Sequence, residues 1–119
     1  MSTIVIHEED DLMRALLREW LSDAGYRVRT AALSEAERTG AADLVIVSVY
    51  MPRHAGGLVR KIQAAHPGTP LIALSAQFRS GLSAAGATAD ALGVQQVIAK
   101  PLKREDLLVA VRAMIGAPL

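Results

Sequence analysis

Residues 43–57 read DLVIVSVYMPRHAGG, an apolar run with one polar break that ends abruptly in a loop holding one proline and closing on two glycines. Leu44, Val45, Ile46, Val47 and Val49 are of strand length together, rich in β-branched residues and without alternation, as a central strand covered on both faces requires. Ser48 interrupts them. A polar side chain near the carboxyl end of a central parallel strand stands at the edge where open α/β sheets place their ligand sites. What Ser48 replaces, or does, is therefore the functional question.

Ahead of this strand, Thr3–Ile6 is a short β-branched run that stops at His7, Glu8, Glu9, Asp10 and Asp11. Leu12, Leu16, Leu17, Trp20 and Leu21 then recur at helical spacing, with Asp10 or Asp11 as the cap and Gly25 as the stop. Tyr26–Thr30 reads as a weaker strand near one edge of the sheet, and Ser34 caps a short helix over 35–38. Beyond the central strand, a helix over Leu58–His66 closes at Pro67, with His66 expected on the surface; the strand Pro70–Ser75 follows. Residues 77–93 predict a fourth, alanine-rich helix weakened by Gly81 and Gly86, Gln95–Ala99 a fifth strand, and Leu107, Leu108, Val111, Met114 and Ile115 a last amphipathic helix.

Five strands alternating with five helices through short connections imply an α/β, doubly wound five-stranded parallel sheet, since each right-handed parallel crossover needs a helix. At 119 residues, half of them apolar, residues 1–119 are expected to form a single domain. The net charge of +1 and scattered arginines provide no basic stripe for nucleic acid. With no cysteine, neither a disulfide framework nor a thiolate metal site exists. No segment reads as a secretory signal or a membrane span, so the expected location is the cytoplasm.

Three anchors, in order and at matching spacing, make the sequence resemble a response-regulator receiver domain over essentially its whole length: IVIHEEDDL after the first strand, DLVIVSVYMP followed by Gly-Gly, and LIALSA paired with AKP. The resemblance implies the flavodoxin-like form of this fold. It also implies a pocket in which an aspartate takes a phosphoryl group from a histidine kinase, with a divalent metal held by the early acidic pair. Carried over by position, the acceptor falls on Ser48 and the acidic pair on His7 and Glu8. A serine hydroxyl needs an adjacent base, whereas an ionised carboxylate attacks a phosphoramidate directly. With one carboxylate at Glu8 and the backbone carbonyl of Tyr50, the set is poor for magnesium, which demands hard oxygen ligands, so no cofactor is expected. Without a metal, Glu8, Glu9 and Asp10 serve the positive end of the first helix.

Other parts of the resemblance persist. Ser75 takes the hydroxyl position, Lys100 the lysine that contacts a phosphoryl oxygen, and Pro101 the proline that is cis in the family. Val97 stands where the family's rotating aromatic would be. Without a phosphate, Lys100 is free to pair with Glu8. Tyr50 is a large amphipathic ring at the pocket mouth, suited to packing on its own loop or to anchoring a partner.

The expected function is a degenerate receiver, a binding module rather than an enzyme, in two-component or phosphorelay signalling by protein contact without phosphorylation. The expected partner is a protein: a histidine kinase, another signalling protein or an output protein. The resemblance also admits a homodimer through the fourth helix, fifth strand and fifth helix. No output domain is read after the last helix, so output is expected to pass through that surface. The alternative is a small metal- or ligand-binding domain on the same fold, using His7, Glu8 and His54, a set that suits zinc.

Overall fold

Strand β3 (Leu44–Ser48) lies at the centre of one five-stranded sheet ordered β2-β1-β3-β4-β5, with β1 (Thr3–His7), β2 (Arg27–Thr30), β4 (Leu71–Ser75) and β5 (Gln96–Ala99) all parallel to their neighbours. The computed structural model describes residues 2–30, 41–49, 56–75, 94–99 and 102–118. Among them are three helices, α1 (Asp11–Asp23), α2 (Gly56–Ala65) and α3 (Arg104–Ile115). The helices expected over 35–38 and 77–93 lie outside the described residues.

The apolar run reads as it does because β3 is covered on both sides. Val45 and Val47 join Val5, Leu71 and Ala73 in one core with Val59 and Ile62 of α2. Leu44 and Ile46 join Ile4, Ile6, Ile72 and Leu74 in the other, with Leu17 and Leu21 of α1 and Leu107, Ala110 and Val111 of α3. Helices therefore cover both faces, the doubly wound arrangement. Full burial of a Leu, Ile or Val side chain stabilises by about 1.5–3 kcal/mol, so these two layers are the main favourable contribution to folding.

Side chains fix the register at the amino edge of the sheet. Asp43 donates its amide to the Thr3 carbonyl at 2.8 Å, and its Oδ2 accepts the Thr3 amide at 2.7 Å. Gln95 repeats the device at the β4/β5 pair: its amide reaches the Leu71 carbonyl at 3.1 Å, and its Oε1 accepts the Leu71 amide at 2.7 Å. A one-residue slip of either pair would break both bonds and exchange the two core faces.

Asp10 is the cap of α1, its Oδ2 accepting the Met13 amide at 2.7 Å. Gly25, at φ +103°, ends it, with the Gly25 amide on the Ser22 carbonyl and the Tyr26 amide on the Leu21 carbonyl. That is the paired bonding of a left-handed helix stop, and it corrects one boundary. Tyr26 belongs to the stop, so β2 begins at Arg27. As expected, β2 is an edge strand, and Arg27 and Arg29 are exposed on it.

Candidate functional site at the carboxyl ends of the strands

The carboxyl edge of the sheet is set by the register. His7 pairs with Val47, Ser48 with Leu74, and Ser75 with Ala99. Glu8 and Ser48, each one residue beyond a paired position, come to the same level on adjacent strands. Ser48 is half-buried, and Glu8 and Ser75 are buried. The sheet therefore brings Glu8, Ser48 and Ser75 to one edge.

His7 is placed differently. Side chains alternate along a strand, so His7 faces with Val5 rather than with Ile4 and Ile6. It is buried at 2% exposure, and its ring centroid lies 6.4 Å from that of His66, tilted by 56°. His66 is itself buried at 3%, against the surface position expected for it, because it continues the face of α2 that carries Val59 and Ile62 at spacings of three and four. His7 is thus a core residue beneath the sheet, and Glu8, with exposed Glu9 after it, is the first acid at the edge.

Glu8 bonds within its own loop. Its Oε1 accepts the Asp10 amide at 3.0 Å, and its carbonyl accepts from Arg14 Nη1 at 3.1 Å. The other arm of Arg14 pairs with Asp11. These contacts serve the exposed amides at the start of α1 and the positive end of its dipole, worth about 0.3–1 kcal/mol per charge. Among the described residues no group of three or more His, Cys, Asp or Glu could hold a metal ion. His7, buried on the side of Val5, is not grouped with Glu8 at the edge. Tyr50, His54, Lys100 and Pro101 lie outside the described residues. Val97 is buried in register with Ala73, within the α2-side core.

Burial lowers the His66 pKa below its ordinary value, since desolvation penalises the charged ring. A folded pKa below the unfolded one gives stability that is complete above about pH 6.5 and falls as the pH drops from there toward the folded value. The midpoint of thermal unfolding is expected to be lower at pH 5 than at pH 7.5, and His66→Gln should narrow that gap. Equal gaps in the two proteins would place the acid sensitivity elsewhere.

The model of the response regulator receiver domain family matches residues 4–112. Over 98% of its length the chain is 30% identical to the DNA-binding transcriptional regulator NtrC of Bradyrhizobium sp. (strain RP501 Parasponia) and of Rhizobium meliloti (strain 1021). It spans about a quarter of the length of these curated relatives (25%). Among solved structures, a response regulator from Thermotoga maritima superposes with a TM-score of 0.80 at 25% identity, covering 98% of this chain and 99% of that one. The non-phosphorylated HemR receiver domain from Leptospira biflexa gives 0.77 at 27% identity, covering 100% and 98%. No described helix is long and apolar enough to cross a membrane.

Proposed function

This chain belongs to the response regulator receiver domain family, and from that premise we propose that it is a degenerate receiver, a module of two-component signalling that works by protein contact without being phosphorylated. The observation that carries the reading is Ser48. It ends the central strand, level with Glu8, at the position where the family resemblance puts the acceptor aspartate. An alcohol there has no carboxylate to offer a phosphoryl donor, and activating it would require a base. Val97 supports the same reading, because a buried valine in the sheet provides no ring to turn in response to phosphate.

Output then passes through a surface. The partner is a protein: a histidine kinase, another signalling protein, an output protein, or a second copy meeting this one through residues 77–93, β5 and α3. Val109 on α3 is 66% exposed and Arg104, Glu105, Asp106 and Arg112 are exposed on the same helix, a mixture suited to a protein contact. The module is not an enzyme in this reading, and it acts in the cytoplasm.

The test is intact mass after incubation with acetyl phosphate and magnesium. No gain is expected for this protein. A stoichiometric gain of one phosphoryl group, lost at mildly alkaline pH, would mean that another carboxylate accepts it and would overturn the proposal.

A further inference from the structure

The segment that follows α3, residues 116–118, is fastened to a corner of the fold at the edge opposite Ser48. Tyr26, 4% exposed, donates its hydroxyl to the Gly116 carbonyl at 2.7 Å, across 90 positions of sequence. Gly116 turns the chain out of α3 at φ +76° while its amide closes on the Arg112 carbonyl at 2.9 Å. Two residues later Pro118 covers Gly25 so closely that a Cβ at position 25 would stand 3.0 Å from Pro118 Cγ and 3.2 Å from its Cβ. Gly25 is therefore required twice, for its positive φ and for the ring that lies on it. The corner is at the amino edge of the sheet, where the Arg27 amide bonds the Ser2 carbonyl and Arg27 pairs with Thr3.

We infer that Gly25, Tyr26, Gly116 and Pro118 form one clasp, a conformational device that locks the carboxyl end of α3 to the α1–β2 corner and opens as a unit. The two ends of α3 differ in the way such a device needs. At the carboxyl end the helix is capped by Gly116 and tied by Tyr26. At the amino end Lys103 makes no side-chain cap bond. Tyr26 also carries the amide that completes the stop of α1 on Leu21, so the residue that holds residues 116–118 is the residue that ends the first helix. Displacing residues 116–118 therefore loosens the end of α1 and the start of β2. This linkage is independent of the reading of Ser48.

Amide hydrogen exchange on Tyr26→Phe, Pro118→Gly and the double variant tests it. Tyr26→Phe keeps the buried ring and removes only the hydroxyl bond. The amides of Gly116 and of residue 26 are expected to exchange roughly tenfold faster in Tyr26→Phe, as loss of one net hydrogen bond implies, and several-fold faster in Pro118→Gly, which removes the ring packed on Gly25. Strand amides of Ile46 and Leu74 should stay within about twofold of the parent. If the contacts open together, the two amides report one opening equilibrium, so Gly116 and residue 26 should accelerate by the same factor, within about twofold, in every variant. A change at Gly116 without one at residue 26, factors at the two amides that differ by more than about fivefold, or an equal rise in the strands would each overturn the clasp.

Discussion

The His7→Asp variant is expected to lose about 3 kcal/mol of stability or more, because it buries a carboxylate in an apolar layer. The resemblance alone invites the opposite expectation, since an acid at this position looks like the restoration of a missing metal ligand. The structure turns the side chain the other way. His7 faces with Val5, is in register with Val47 and stands 6.4 Å from the buried ring of His66. An imidazole there can stay neutral, whereas an aspartate either ionises without water or takes up a proton at a cost. A fall of roughly 10–15 °C in the thermal midpoint at pH 7.5 follows for a domain of this size. The deficit should shrink at pH 5, where the new carboxyl is more readily protonated. A variant within a few degrees of the parent at pH 7.5 would show that position 7 opens to the strand-end site after all. Glu9→Gln, an exposed change one residue past Glu8, is the control and should move the midpoint little.

What could be read in the sequence, and what could not, separates along physical lines. The runs LVIV and LIAL state their own burial, because a strand covered on both faces needs no alternation. Asp10 and Gly25 were legible as start and stop because caps depend on local chemistry. Ser48 was legible because it is the sole polar residue in an apolar run. His7 was misplaced because in a strand buried on both faces hydrophobicity carries no parity, so the first polar residue looked like the strand's end. The structure continues β1 through it. His66 had a usable signal: Val59, Ile62 and His66 repeat at helical spacing, which outweighs the proline that follows. The Tyr26–Gly116 bond had none, since no local rule joins residues 90 apart.

The second large effect expected is a gain. Ser48→Asp, with His7 left in place, should take up one phosphoryl group from acetyl phosphate where the parent takes up none. The edge already carries Glu8 at the level of residue 48 and exposed Glu9 beyond it, so the substitution adds a third acid to two, and it does so at a half-buried position that tolerates a charge. The new carboxylate oxygen attacks phosphorus, the bond from phosphorus to the acetyl oxygen breaks, and acetate leaves with the electron pair. Some stability is lost, because a like charge now faces Glu8; magnesium in the buffer should recover part of it in the variant and not in the parent. Intact mass and the magnesium-dependent thermal midpoint are the two readouts. A folded Ser48→Asp protein that remains unmodified would show that the site lacks more than its acceptor. Adding His7→Asp to Ser48→Asp should then make matters worse rather than better: the double variant is expected to be less stable and to take up no more phosphoryl, since the second acid goes into the core and never reaches the edge.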